Sequence, residues 1–279
     1  MNRYKYIDEK GEHLHTLDDK PLLGTSTISD LIPPPLTWWA SGLAVKVLGV
    51  PDAKVFTKMK SKKATPEEIE ALNTSCATRL EEIKGMSTDE YVRLLNDAYK
   101  AHSVRLKDSA QAGTDLHAEL EKYVKNHMIC NNPANIGGKM RDTTEYDSKI
   151  KPFTDWAEIN VKRFIYSEAN CYSEEMWTGG ISDACAELNN GSVIVIDFKS
   201  AKDAYLTKFW QAVGYAIQVE ENGWYDREGN LLGKLEKPID YVCVVPFGAE
   251  IVEPKFYYNM EEGKRAFNLM VGLYKLYNQ

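Results

Sequence analysis

The pattern of hydrophobic and polar positions changes its period near residue 164. Before that point, apolar residues recur every three or four positions, which predicts amphipathic helices. After it, short apolar runs bounded by turn residues predict strands, in the order βββ-α-ββ-α. This order is typical of a sheet with helices packed against it. We therefore expect a mixed α/β fold, with a central mixed sheet flanked by helices and preceded by an N-terminal helical region.

Capping signals set the limits of the predicted helices. Thr65, Pro66 and Glu68 fit a capping box with proline in the first turn, and Ser87 with Glu90 fits a second box. The prolines at 33–35 stop the first helix, and a loop is predicted at 131–142. The helices are predicted at 26–32 with Ser26 or Thr27 as N-cap, 36–49, 65–85, 87–102, about 104–127 and 146–164.

Turn residues set the limits of the predicted strands. A short hairpin that turns near Gly11 opens the chain. Asn190-Gly191 is a strong hairpin signal, because both positions accept a positive φ. After residue 164, strands are predicted at 164–173, 177–188, 192–199, 239–247 and 250–258, and helices at 204–223 and 260–278.

Cysteine usage and hydropathy narrow the class of protein. The five cysteines form no C-x-x-C pair, which favours free thiols in a reducing compartment over a zinc site or an iron–sulfur cluster. The N-terminus has no apolar signal region, and no apolar run reaches the roughly 20 residues of a membrane span. We expect a cytoplasmic protein that does not contact a membrane.

The charge of the chain is uneven. A net charge of −7 argues against unspecific binding to polyanions. One segment, KVFTKMKSKK at residues 54–63, nevertheless carries five lysines and no acid. This lysine run predicts either part of a cap or arch that guides a DNA strand or an ordinary solvated loop. The four lysines that we assign to DNA under the first alternative are Lys58, Lys60, Lys62 and Lys63.

Two aspartates flank the Asn-Gly turn. Asp183 and Asp197 lie on adjacent predicted strands with the turn midway between them, so they can approach each other across the ladder. Two close carboxylates repel, and a divalent cation such as Mg²⁺ or Mn²⁺ relieves the repulsion. Lys199 shares a face with Asp197 and could neutralise a phosphate or orient a water molecule. An isolated D-x-K is far more often a structural ion pair at a strand end.

Two helical motifs accompany the acids. Gly113, His117 and Glu121 share one face of a predicted helix, and a neutral imidazole there could complete a metal shell. Gln211 and Tyr215 lie one turn apart on the helix that follows Lys199. Alone, His117 is more often an ordinary core or surface histidine, and the Gln–Tyr pair is only a polar feature of an amphipathic helix.

The order of the four motifs is informative as a set. G-x-x-x-H, G-x-x-D, D-x-K and Q-x-x-x-Y follow one another from Gly113 to Tyr215. This order resembles the PD-(D/E)XK nuclease superfamily, and within it the RecB-like, phage-type exonuclease branch with its mitochondrial and CRISPR-associated members. The segment GTSTISDLIPPPLTWWASGLA also looks like the opening of phage and mitochondrial members. Ser182 departs from the family's proline, and the cysteines of the iron–sulfur members are absent.

The resemblance implies a restriction-endonuclease-like core and a role for each matching residue. Lys199 would be the catalytic lysine, acting with Asp183 and Asp197. The metal ligands would be His117, Asp183, Asp197 and the backbone carbonyl of Phe198. Gln211 and Tyr215 would face DNA, whereas Glu121 and Glu168 would support the ligands from behind.

The resemblance also implies an activity. We expect a Mg²⁺- or Mn²⁺-dependent DNA exonuclease without an iron–sulfur cluster, acting in phage or bacterial recombination or repair on linear DNA, single-stranded or with free ends. A flap or structure-specific endonuclease and a catalytically silent DNA-binding module are the alternatives. Residues 1–103 would form the hairpin and helical cap, and residues 104–279 the nuclease core. A single-strand-annealing or recombination partner and the oligomeric state stay open.

Overall fold

A computed structural model describes residues 2–9, 12–32, 37–130 and 144–278. The chain divides into two compact units. The core unit comprises Met1–Ile32 and Gly113–Gln279, and the helical unit comprises Pro33–Ala112. The expected division at residue 103 differs from these bounds, because the N-terminal hairpin and first helix pack with the core rather than with the helical region.

An eight-stranded mixed sheet forms the centre of the core unit. Its strands, numbered along the chain after the three of the N-terminal sheet, are β4 (Leu23–Gly24), β5 (Val161–Ser173), β6 (Thr178–Leu188), β7 (Val193–Lys199), β8 (Trp224–Tyr225), β9 (Leu231–Gly233), β10 (Tyr241–Pro246) and β11 (Lys255–Tyr257). The order along the sheet is β11-β10-β7-β6-β5-β8-β9, with the short β4 paired to β6. The pairs β10–β7 and β4–β6 are parallel, and the other pairs are antiparallel. The expected central mixed sheet is confirmed.

A separate three-stranded sheet begins the chain. It contains β1 (Tyr4–Glu9), β2 (Glu12–Leu17) and β3 (Lys20–Pro21), in that order. The antiparallel register of β1 and β2 confirms the expected hairpin. Its turn at Gly11 lies outside the described residues, as do the prolines at 33–35 and the loop predicted at 131–142.

The described residues form eight α-helices. In chain order they are α1 (Thr25–Ser29), α2 (Thr37–Val47), α3 (Lys54–Lys60), α4 (Pro66–Lys84), α5 (Thr88–Cys130), α6 (Lys151–Asn160), α7 (Leu206–Asn222) and α8 (Met260–Tyr277). A 3₁₀ turn at Ser148–Ile150 precedes α6. No helix in the described parts of the chain is both long and apolar enough to span a bilayer.

Strand β7 is buried on both faces, which explains its continuous apolar run. Ile194 and Ile196 pack in a cluster with Leu120 of α5 and with Phe153 of α6. Val195 packs on the opposite face, in a cluster that contains several residues of α7. The sheet therefore has helices on both faces, and the polar end of β7 lies where these two apolar layers finish.

Both predicted capping boxes are confirmed. The Thr65 hydroxyl accepts the Glu68 N–H, and the Glu68 carboxylate accepts the Thr65 N–H. Ser87 and Glu90 make the same reciprocal pair.

The lysine run is helical through Lys60, so the alternative of a plain loop is wrong for most of its length.

Several predicted boundaries are wrong. The helices expected at 87–102 and 104–127 are one helix of 43 residues, since no proline or glycine separates them. Helix α1 begins after an N-cap at Gly24 rather than at Ser26 or Thr27. Helix α6 ends at Asn160, and strand β5 starts directly after it. The short strands β3, β4, β8 and β9 are too brief to give a periodic pattern.

Candidate metal centre

The β6–β7 hairpin brings the two predicted aspartates together. Its register pairs Ala184 with Ile196, and one further step places Asp183 opposite Asp197. The ladder stops at this step. The Oδ2 atom of Asp183 instead accepts the N–H of Phe198, at 2.6 Å. This bond fixes the Asp183 carboxylate at the open end of the hairpin.

The buried Asp197 forms an ion pair with the partly buried Lys199. The Lys199 Nζ atom donates to Asp197 Oδ1 at 2.7 Å, and the Asp197 side chain is only 1% exposed. The other carboxylate oxygen, Asp197 Oδ2, is buried without a hydrogen-bond partner among the described residues. An unpaired buried carboxylate oxygen is costly, so this atom is a ready donor for a cation.

Three side chains offer ligand atoms around one point. His117 Nδ1 lies 3.7 Å from Glu168 Oε1 and 3.7 Å from Asp183 Oδ1. The ligand atoms of the three residues all lie within 4.8 Å of one another. Asp197 is outside this group of three, and Glu168, which was expected behind the ligands, is inside it. The donor set of one imidazole and two carboxylates suits a divalent cation.

Backbone conformation explains how Glu168 joins the group. The β5–β6 register pairs Ser167 with Ala184 and Ala169 with Ser182, so Glu168 and Asp183 face each other between these pairs. Glu168 has a φ of 45°, in the left-handed region that residues other than glycine rarely adopt. Such strain concentrates at functional sites, where the surrounding structure holds it in place. No local sequence signal indicates this conformation.

Helix α5 carries His117 to the site. Gly113, one turn earlier, lies against Ser200, and a Cβ at this glycine would stand 3.3 Å from the Ser200 hydroxyl oxygen. A larger residue would therefore crowd the end of β7. This contact gives a packing reason for glycine in the G-x-x-x-H motif, and it places the imidazole over the open end of the hairpin.

The electrostatics of the site favour a bound cation. Burial raises the pKa of Asp183, and it raises the pKa of Asp197 to about 6 against the opposing effect of Lys199. Burial also disfavours charged His117, but Glu168 and Asp183 outweigh it and raise its pKa to about 9. For Lys199, burial acts against the charge, yet Asp197 and Asp183 raise its pKa. Burial therefore disfavours the ionised forms of Asp183 and Asp197, and a bound cation would stabilise those forms.

Gln211 and Tyr215 are buried, at 3% and 5% exposure. The Gln211 Nε2 atom donates to the Tyr215 hydroxyl at 3.0 Å, and the Ser29 hydroxyl donates to Gln211 Oε1 at 3.1 Å. These bonds hold α1 against α7. DNA contact by the pair therefore stays a prediction, and the contacts in the structure give it a positioning role.

A second glutamine on the same face of α7 was missed by sequence reasoning. Gln218 Nε2 donates to Thr25 Oγ1 at 2.6 Å and to Thr178 Oγ1 at 2.9 Å. Gly180 on β6 allows this close packing, since a Cβ there would lie 2.7 Å from the Tyr215 ring. The seven-residue spacing from Gln211 to Gln218 is the signal that could have identified the pair.

The other predicted site residues lie outside the group of three ligands. Glu121 forms an ion pair with Lys125. The Phe198 carbonyl points towards β6, because the N–H and C=O of one strand residue face the same neighbour, and its role as a ligand stays a prediction. In the lysine run, Lys60, Lys62 and Lys63 are exposed, whereas Lys58 pairs with Glu68. Their DNA contact also stays a prediction.

No protein-family model and no curated protein matches the chain. A functional assignment therefore depends on the geometry of the site.

Proposed function

We propose that the core unit is a divalent-metal-dependent nuclease with a restriction-endonuclease-like core of the PD-(D/E)XK type, acting as an exonuclease on DNA. The observation that carries the proposal is the ion pair of Lys199 with the buried Asp197, beside the group of His117, Glu168 and Asp183. No described residue gives a hydrogen bond to Asp197 Oδ2. If the ion pair were purely structural, there would be no reason for three further side chains with potential metal ligands to meet at the same strand end.

The donor set fits Mg²⁺ or Mn²⁺. His117, Glu168 and Asp183 would hold the cation, and the free oxygen of Asp197 supplies a further donor. When bound, the cation would act as a Lewis acid and lower the pKa of a bound water. The ligand atoms of this group are one imidazole nitrogen and two carboxylate oxygens.

The protein's own residues would position and neutralise the reacting phosphate. The Lys199 ammonium is fixed by Asp197 and is 21% exposed, so it can still reach a ligand. A fixed positive charge stabilises the extra negative charge that a phosphodiester gains during attack by water. Asp183 holds the end of β7 through the Phe198 N–H, which keeps Lys199 and Asp197 in register with the ligand group.

The substrate follows from the proposed reaction and from the resemblance. A phosphodiester in DNA is the polyanion that a metal and a lysine together would accept. Action on a free end, with a role in phage or bacterial recombination or repair in the cytoplasm, rests on the resemblance alone.

Digestion of labelled DNA tests the proposal. Linear DNA labelled at the 5′ or 3′ end, single- and double-stranded, is incubated with Mg²⁺, Mn²⁺ or excess chelator, beside a circular single-stranded substrate. We expect metal-dependent loss of the linear substrates and survival of the circle. Cleavage of the circle would replace the exonuclease with an endonuclease, and unchanged cleavage in chelator would reject the metal centre.

A further inference from the structure

A cleft of about 640 Å³ opens beside the metal ligands in the core unit. One wall is strand β5 from Ile165 to Asn170, and the other contains residues 224–228 and Leu232. Glu168 lies in the lining, so the cleft reaches the group of three ligands directly. A substrate strand that has its phosphate at the metal could place an adjoining nucleotide in this space.

The outer edge of β5 is open along the cleft. Asn170 pairs with Tyr225 of β8, and the described residues show no other β5–β8 pair. The stretch Ile165–Ala169 therefore presents strand backbone to the cleft without a neighbouring strand. An open edge inside a cleft offers hydrogen-bonding groups to a ligand.

Asn170 joins the two walls of the cleft. The residue is 3% exposed, and its Nδ2 atom donates to the Asp226 carbonyl at 3.3 Å. Its Oδ1 atom lies beneath the surface of the wall and has no hydrogen-bond partner among the described residues. Asn170 therefore fixes the spacing of the walls and offers no contact to a molecule in the cleft.

The walls supply apolar surface and a cationic side chain. Leu232 is 60% exposed and lies across the cleft from β5 with the partly buried Trp224. Arg227 is exposed, makes no ion pair within the described part of the chain, and lies with its guanidinium 6.0 Å from the Tyr6 ring centre. Apolar and aromatic side chains accept the face of a nucleobase, and arginine binds phosphate well.

Two of the acids in the lining are already engaged. Glu121 pairs with Lys125. Asp226 accepts the backbone and side-chain N–H groups of Asn230, at 2.7 and 2.8 Å. The paired carboxylates of Glu121 and Asp226 should repel a phosphate at Arg227 less than unpaired carboxylates would.

We propose that this cleft binds the nucleotide next to the scissile phosphate. Its base lies against Leu232 and Trp224, and its phosphate contacts Arg227. The proposal rests on the proposed nuclease function and adds the site that holds the substrate strand beside the metal.

Equilibrium binding and kinetics of matched variants test this assignment. A short single-stranded oligonucleotide with 2-aminopurine at its terminal positions is titrated in Ca²⁺, and KM and kcat are measured separately in Mg²⁺. The test variants are Leu232→Ala and Arg227→Ala, both at exposed positions. The controls are Leu231→Ala, on the same short strand but outside this cleft, and Arg265→Ala on α8.

We expect the two test variants to raise the dissociation constant and KM about tenfold, as the loss of one base-stacking or phosphate contact does, with kcat within about threefold of wild type. Both controls should match wild type.

Two failures are distinguishable. If wild type cleaves DNA but Leu232→Ala and Arg227→Ala bind and cleave like the controls, the cleft assignment is wrong and the nuclease stands. If wild type cleaves no DNA in Mg²⁺ or Mn²⁺, the proposed function is wrong. In that case, an effect of the test variants on oligonucleotide binding would still support the cleft as a nucleotide site.

Discussion

Charged residues have different environments in the core unit and in the helical unit. In the core unit, Asp197 is buried at the end of an apolar strand beside the partly buried Lys199, and one oxygen of its carboxylate has no hydrogen-bond partner in the described part of the chain. In the helical unit, Lys60, Lys62 and Lys63 lie in water, and Lys58 forms a surface pair with Glu68. Burying a charge costs free energy unless a partner or a bound ion offsets the cost, whereas an exposed charge stays hydrated. The charges at the end of β7 therefore indicate a functional site, and the lysine run gives little indication of one.

The largest effect is expected at Lys199. Lys199→Ala should lower the cleavage rate at saturating DNA by about 100-fold or more, because a fixed charge at the reacting phosphate is removed. DNA binding should change little. Single-turnover rates and binding titrations measure both quantities, and Lys202→Ala, an exposed lysine three residues later, is the control. Wild-type cleavage by Lys199→Ala would contradict the assignment of the site.

Glu168 and Glu121 can be compared as two nearby acids with different neighbours. Glu168 lies in the group of three ligands, whereas Glu121 pairs with Lys125. Glu168→Gln should raise the metal concentration needed for half-maximal activity by about 10- to 100-fold, and Glu121→Gln should raise it less. Equal effects of the two changes would return Glu168 to a supporting role.

The glutamines of α7 should affect stability. Gln211→Ala removes one buried hydrogen-bond partner of Ser29 and of Tyr215, and Gln218→Ala removes one of Thr25 and of Thr178. Each change should lower the free energy of unfolding by about 1–3 kcal/mol. Urea unfolding measures this, with the exposed Asn268→Ala as control.

Gln211 can also separate positioning from DNA contact. If Gln211→Ala weakens DNA binding while stability and metal affinity stay at wild-type values, then the residue contacts DNA directly. A parallel loss of stability and DNA affinity is the expected outcome.

The smallest effect is expected from the exposed lysines. Replacing Lys58, Lys60, Lys62 and Lys63 by glutamine should lower DNA affinity and flatten its salt dependence, because fewer counterions are released. The cleavage rate at saturating DNA should stay close to wild type. An unaltered salt dependence would leave these lysines as a solvated face of α3 and the turn after it, with no part in guiding DNA.

The sequence was most informative where local chemistry decides the structure. The Asn190-Gly191 turn determines the β6–β7 register, and that register alone places Asp183 opposite Asp197. Thr65 and Ser87 begin their helices because a hydroxyl and a glutamate three residues later satisfy the free N–H groups.

Features that depend on contacts between distant elements could not be read from the sequence. Glu168 adopts a left-handed backbone conformation between two paired positions of β5 and β6, and no local sequence pattern indicates that conformation. Gln211 and Tyr215 are buried because α1 packs on α7, so their exposure was unpredictable from helical spacing. The sequence-based prediction places a break at residue 103 in helix α5, although no helix-breaking residue occurs there.

Titration of Mn²⁺, followed by electron paramagnetic resonance of the free ion, tests the central claim most directly. The claim is that the buried acids of the core unit form a metal centre. Wild type should bind Mn²⁺ tightly, and Asp183→Asn should lose most of that binding while remaining folded, with the exposed Asp203→Asn as control. A wild-type protein that leaves all added Mn²⁺ free, or an Asp183→Asn variant that binds it equally well, would contradict the account.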